Sequence, residues 1–475
     1  MYFHSIPFFS FLFLIVLFAT KIAAKNRWVL FLGASCFFYA WFSLAALGFL
    51  AFVILFSYRI AIAIADTEDA TSRAVLLWSA IAAKVTLIGL ARYFFPELLP
   101  GFVVPLGLSF YSFQASGYLI DVYRRQQSPE RHLGRYALFV SFFPTLLSGP
   151  IERSNSLLPQ LADPADVTAE IATSNGLLFY SGLFKKLVVA DALARFVVPV
   201  FANPEYFDGP TLFVAVAIAR YMIFADFSGY ADMAIATAGF LGVRVRQNFN
   251  RPFFATSLID YWRRWHISLH DWMKDYVFYS LSTSAAGRAF GIYFCLFVSF
   301  LFMGLWHDVR WTYLAVGLWY GLFISLDYLT RDSRARFEKR IGLHKFPLLL
   351  RLLQIAITLI VFVLPPTVFF LSKSMDDAFK IFARIFQGDW SFNQLERVLV
   401  NLAGPHASSH KLLIQTLIFM VIIEVLHIFQ SQKGIRSRIQ SLPRPLRLAL
   451  YVLLLLILVV FAQPFGERPY VYFQF

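Results

Sequence analysis

The chain has 475 residues, 59% of them apolar, a mean hydropathy of +0.64 and only 15% charged side chains. Soluble domains carry about 45–50% apolar and about 25% charged residues, so this alphabet cannot build a water-facing shell; the solvent is lipid. The formal charge of +14 reads as Lys and Arg gathered in cytoplasmic loops, not as a nucleic-acid surface.

A helical crossing needs about 20 apolar residues. Apolar runs occur at Pro7–Ala24, Trp28–Phe42, Leu44–Ala65, Ala74–Phe95, Phe102–Ile120, Tyr136–Leu147, Gly176–Phe201, Thr211–Leu241, Ala289–Trp306, Thr312–Leu326, Pro347–Leu371, Leu412–Phe429 and Pro445–Phe461. The first has no basic stretch ahead of it and another apolar run behind it, so it reads as a retained helix and not a cleaved signal. Several are too short or too interrupted for a simple span. The expectation is an all-α polytopic membrane protein with about 10–12 crossings plus re-entrant or interfacial helices. Without an internal repeat or a soluble segment, residues 1–475 read as one transmembrane domain. Cys36 and Cys295 sit in apolar runs and read as small core residues.

Loop charge sets the orientation. One basic loop holds Arg331, Arg334, Arg336, Lys339, Arg340, Lys345 and Arg351; another holds Lys433, Arg436, Arg438, Arg444 and Arg447. Two spans separate them, so both face the cytoplasm. The loop Ser372–His410 and the tail Gly466–Phe475 then lie outside. The basic stretch Arg244–Arg288 is cytoplasmic again, and the hairpin Ala289–Leu326 leaves that side and returns with His307 at its turn.

Three groups of residues carry chemistry. In the run Thr211–Leu241, Arg220, Asp226, Ser228, Tyr230 and Asp232 are polar at membrane depth and need partners or a wet cavity. A structural clamp, with Asp226 facing an arginine, and a cavity lining are equally open. For Lys185, Lys186, Asp191 and Arg195, snorkelling toward the interface is the simpler reading. In the second group, Trp262, Trp265, Leu269, Trp272 and Tyr276 recur at helical spacing. That predicts one amphipathic helix at the cytoplasmic interface, with Arg263 and Arg264 on another face and His266 at the stripe's edge. His266 and His270 form an HxxxH pair, but no Glu follows His266 and no third ligand is evident, so no metal is expected. The third group is Gly304-Leu-Trp-His-Asp-Val-Arg-Trp311. An imidazole there suits proton transfer from a hydroxyl; alternatively, Trp306 and Trp311 anchor an interfacial turn and His307 is incidental.

Several stretches in order resemble the membrane-bound O-acyltransferase family, in its bacterial polymer-acylating branch of alginate O-acetylation and teichoic acid D-alanylation. They are Pro105–Phe113 through Tyr118–Tyr123, Phe143–Pro144 through Ser148–Arg153, Asp226–Tyr230 with Asp232, Asn248–Pro252, Tyr261–His266, Gly304–His307 and Tyr470–Phe475. The resemblance implies a ring of tilted helices around a thinned centre, with cytoplasmic and outer funnels. It implies His307 as catalytic histidine and His266 as its companion. Trp262, Trp265, Trp306, Asp226, Ser228, Tyr230 and Asn250 are the expected substrate-lining residues. Arg263 and Arg264 are expected to hold the phosphates of an acyl thioester, either acetyl-CoA or a phosphopantetheine carrier protein, used as substrate with no bound cofactor. Tyr472 resembles a terminal tyrosine that carries an acyl group, although an interfacial anchor explains it more simply. Expected partners are lipid, an acyl carrier protein, an extracytoplasmic acyltransferase or small membrane protein, and a polysaccharide acceptor, at a bacterial cytoplasmic membrane. Asp308-Val309 departs from the small pair that usually follows the histidine. D-Alanyl transfer is the alternative chemistry, and a proton-coupled transporter or flippase the alternative class.

Overall fold

In hydrocarbon every backbone N–H and C=O must be satisfied within the chain, and helices do this segment by segment. The computed structural model describes residues 1–99, 101–404, 406–430, 439 and 441–462. In chain order they form α1 (Ile6–Ala19), α2 (Arg27–Ala40), α3 (Leu44–Asp66), α4 (Ala70–Leu98), α5 (Leu108–Tyr123), α6 (Leu133–Ser141), α7 (Ser154–Ala162), α8 (Ala169–Leu183), α9 (Asp191–Ala202) and α10 (Gly209–Phe240). Then come α11 (Leu258–Trp262), α12 (Ile267–Trp272), α13 (Ala285–His307), α14 (Trp311–Arg340), α15 (Pro347–Leu371), α16 (Met375–Gln387), α17 (Phe392–Ala403), α18 (Ala407–Gln430) and α19 (Arg444–Phe461). Among the described residues there is no strand, and eight helices are long and apolar enough to cross a bilayer: α3, α4, α10, α13, α14, α15, α18 and α19. The chain is an all-α, multi-pass membrane protein. The run Tyr136–Leu147 is not one span: α6 stops at Ser141 and Pro144 starts a separate turn, Phe143–Leu146. Tyr472 and the tail from Gly466 lie outside the described residues.

The chain divides into two compact units. The first holds residues 1–183 and 230–247. Here α3 packs on α4, α5 and α6, and Phe8, Phe11, Phe38 and Phe143 interlock with ring centroids 5.2–6.1 Å apart. Ser43 and Asp69 cap α3 and α4 by accepting the N–H groups of Ala46 and Ser72. Tyr230 belongs to this unit, buried and stacked on Phe3 at 4.9 Å. Glu152 accepts the Arg246 N–H at 2.7 Å; burial raises its pKa while Arg246 opposes the shift.

Of the described residues, the second unit holds 184–229 and those from 248 to 462. Its tightest pairing is the hairpin of α13 and α14. Gly304 makes this possible: a Cβ there would sit 2.6 Å from the Tyr313 carbonyl oxygen and 2.7 Å from the Gly317 backbone. Asp327 on α14, almost fully buried, accepts the Ile259 N–H at 2.9 Å and pairs with Arg334, which ties the start of α11 to the hairpin. Lys186 does not snorkel. Its ammonium is buried between Asp226 at 2.8 Å and Asp191 at 2.9 Å, so a lysine is a partner of Asp226.

Candidate active site

The stretch Tyr261–Tyr276 is not the single helix that its tryptophan spacing suggests. The chain leaves α11 at Trp262 and re-enters helix at Ile267, and between them His266 takes a left-handed conformation, φ 43° and ψ 54°. Such a conformation costs a residue with a Cβ about 1–3 kcal/mol and persists only where its surroundings fix it. Asn248 fixes it here. The Asn248 carbonyl oxygen accepts the Ile267 N–H at 2.9 Å, and its side-chain Oδ1 accepts the Ser268 N–H at 3.1 Å. One residue pair away, Asn250 N–H donates to the Arg264 carbonyl at 2.9 Å. The break turns the stripe inward: Trp262, Trp265, Leu269, Trp272 and Tyr276 are all buried within the unit and form no lipid-facing band.

His266 is 1% exposed. The edge of Phe227 meets its ring at 4.7 Å, and Trp306 stands 6.5 Å away. Burial, with His307 as the second cause, holds the His266 ring below its usual range, so it is neutral near pH 7. Trp306 also packs on His307 at 4.6 Å, so the indole lies against both imidazoles. His307 is half-buried at the last residue of α13, stacked on Tyr313 at 6.0 Å and flanked by Phe370 at 5.4 Å. On the other side of the turn, Arg220 lies 3.9 Å over the Trp265 ring and donates to the Tyr261 hydroxyl.

A cavity of about 490 Å³ runs beside this cluster. The α11–α12 region contributes Trp262, Arg263, His270, Asp271 and Lys274; α13 contributes Ile292, Leu296, Ser299, Phe300 and Met303. Ile292, Leu296, Ser299 and Met303 follow one another at four, three and four residues, one face of a helix, and His307 is the next position on that face. Gly291 has φ 81° and breaks α13 just before the lined stretch begins. Arg263 is exposed and has no carboxylate partner among the described residues, whereas Arg264 is paired with Asp260 at 2.8 Å. Lys274 is shared with Asp271 at 3.2 Å. Burial lowers the pKa of His270 to about 4, against the pull of neighbouring Asp271.

The predicted residues therefore separate. His307 and His266 come together through Trp306, whereas Trp262 packs on Phe300 and Tyr320 and Trp265 on Phe249 and Tyr261; Trp262 and Arg263 are on the cavity wall. Asp226 and Ser228 are buried on α10, Asp226 held by Lys186, and Asn250 is exposed.

A family model for the membrane-bound O-acyltransferases matches residues 31–374. The chain belongs to that family. It is an O-acyltransferase, and the match runs through both units. Among similar proteins, the probable alginate O-acetylase of Azotobacter vinelandii is 32% identical over 396 residues, 79% of this chain and 76% of the relative. That of Pseudomonas aeruginosa is 32% identical over 420 residues, 83% of this chain and 77% of the relative. The teichoic acid D-alanyltransferase of Streptococcus thermophilus is 28% identical over 258 residues, 51% of this chain and 62% of the relative. Within this acyltransferase, sequence reading does not single out Tyr313 or Phe370; it reads Lys186 as snorkelling and gives Asn248 only as the first residue of the resembling stretch Asn248–Pro252. Asn248 had a usable signal, an amide next to aromatic and proline residues in a basic loop, but Asn250 carries the same signal. Only the fold separates them.

Proposed function

We propose that this O-acyltransferase moves an acetyl group from a cytoplasmic thioester to hydroxyls of an extracellular polysaccharide, with His307 as the base. The carrying observation is the stripe Ile292–Leu296–Ser299–Met303, which lines the cavity along one face of α13; His307 is not a lining residue but is the next position, one turn on, along that face. From Ile292 to Met303 the lined face covers about 17 Å of helix at about 1.5 Å per residue, and His307 lies about 6 Å further along the axis. A slender thioester arm fits such a path, and its charged nucleotide or carrier stays behind in water. Arg263 is the available cation for the donor's phosphate; Arg264, committed to Asp260, is not.

The steps balance as follows. The acceptor O–H gives its proton to the His307 imidazole while its oxygen attacks the thioester carbonyl. The tetrahedral oxyanion collapses, the C–S bond breaks, and the thiolate takes the proton back from His307. Products are an ester and a free thiol. Neutral His266, held in its left-handed turn, orients the donor or donates to the oxyanion through a ring N–H. Trp306, Tyr313 and Phe370 exclude water, which otherwise hydrolyses the thioester. Acetyl is favoured over D-alanyl because the alginate O-acetylases match over far more of the chain than the D-alanyltransferase does. By loop charge the His307 turn lies toward the outside; the similarity to bacterial alginate O-acetylases supports the bacterial cytoplasmic membrane as its location. An acyl carrier protein and an extracytoplasmic acyltransferase remain its expected partners. Radiolabelled acetyl-CoA supplied to the purified protein tests this: label must reach a polysaccharide and fail to do so in His307→Ala. Equal transfer by the variant removes His307 from the chemistry.

A further inference from the structure

The cavity wall carries a histidine that the acyl-transfer steps do not use. Ile267, His270 and Lys274 line it at three- and four-residue intervals, along one face of α12 and of the π-helical turn Met273–Phe278 that continues it. The backbone N–H of His270 donates to the His266 carbonyl at 3.0 Å. The two residues therefore stand one helical turn apart, about 6 Å along the axis. The His270 side chain is 26% exposed, which leaves its ring open to the cavity. Burial lowers its pKa to about 4, so at pH 7 it is a neutral imidazole with one N–H donor and one ring-nitrogen acceptor. Neither is used. The Asp271 carboxylate lies 3.9 Å from Nδ1, outside hydrogen-bond range, and no other partner occurs among the described residues. The other polar groups of the wall are committed, covered or exposed. Lys274 pairs with Asp271 at 3.2 Å, the Ser299 hydroxyl donates to the Cys295 carbonyl at 2.7 Å, and the Trp262 indole N–H is buried. Arg263, Tyr279 and Tyr328 are exposed.

Resting on the acyltransferase reading above, we infer that His270 holds the donor by its pantetheine arm, donating from the ring N–H to the carbonyl of the amide nearest the thioester. Such an arm carries secondary amides, and each one taken from water into an apolar cavity is costly unless it finds a hydrogen-bond partner. An ethylene link separates the thioester sulfur from the first amide, a reach comparable with the single turn between His266 and His270. A thioester placed at His266 therefore brings that amide level with His270. In this role the imidazole takes no proton; it fixes the depth to which the arm enters. The arm is common to CoA and to phosphopantetheine carriers, so the contact serves either source.

The experiment uses the full-length protein in nanodiscs and measures Kd for three ligands. They are acetyl-CoA, an acetyl-CoA analogue with that amide replaced by methylenes, and acetyl-phosphopantetheine, which stands for the carrier-borne arm without its nucleotide. His270→Leu is expected to weaken acetyl-CoA and acetyl-phosphopantetheine about 3–10-fold, the effect of one neutral hydrogen bond, and to leave the analogue unchanged. His270→Gln, whose side-chain amide keeps a donor and an acceptor, is expected to restore most of the affinity. A general disturbance of the cavity would weaken all three ligands alike. Equal losses for acetyl-CoA and its analogue, no loss for either, or an effect absent with acetyl-phosphopantetheine overturns the inference and leaves the acyltransferase reading intact. Failure of the wild type to bind either amide-bearing thioester overturns both.

Discussion

Asn248→Ala isolates what holds His266 in place. The substitution removes Oδ1 and leaves the buried Ser268 N–H without its acceptor, which costs about 1–3 kcal/mol. The left-handed turn at His266 stores a similar amount and loses one of its two clamps to Asn248; the Ile267 N–H bond to the Asn248 carbonyl survives, because that bond is backbone. If the penalty falls on the competent conformation alone, turnover drops about 5–150-fold at about 1.4 kcal/mol per tenfold. Asn248→Asp keeps an acceptor at Oδ1 and recovers most of the rate. The assay is His307-dependent acetyl transfer by detergent-purified protein, beside thermal unfolding to register fold loss. Full activity in Asn248→Ala refutes the reasoning, as does a loss that Asn248→Asp leaves equally deep.

Other outcomes follow from single contacts. Lys186→Met removes the buried ammonium that Asp226 and Asp191 share and is expected to cost about 3–5 kcal/mol, read as a fall in Tm, with Lys186→Met/Asp226→Asn recovering part of it. Ser299→Trp fills the cavity midway along α13 and raises KM for acetyl-CoA more than it changes melting; an unchanged KM places the donor elsewhere. His270 titrates at about 4 in the folded protein against about 6.5 in an unfolded chain. The unfolded chain therefore takes up a proton that the folded one refuses: stability is complete above the higher value and is lost as pH falls toward the lower. His270→Asn is expected to flatten the Tm profile across that window, and an unaltered profile assigns the acid sensitivity to other groups.

Much of the architecture is legible because lipid permits so few alternatives. Runs of apolar residues became α3, α4, α10, α13, α14, α15, α18 and α19, and the polar break Asp308–Arg310 between two runs placed His307 at a hairpin turn. The second group was harder. Trp262, Trp265, Leu269, Trp272 and Tyr276 fit helical spacing, and no Gly or Pro interrupts them. What breaks the helix is hydrogen bonding from Asn248, outside the window in which periodicity operates. The ion pair of Lys186 with Asp226 was hidden for the same reason: a lysine in an apolar run looks identical whether it reaches the interface or a carboxylate 40 residues on. Charge and spacing are local signals; partners are not.

Sidedness tests the central claim most directly. With the protein in sealed proteoliposomes of known orientation, acetyl-CoA confined to the face bearing Arg263 and acceptor glycan to the opposite face must together give acetylated glycan. His307→Ala must abolish it. Transfer only when donor and acceptor share one compartment would contradict an imidazole served from both sides of the membrane.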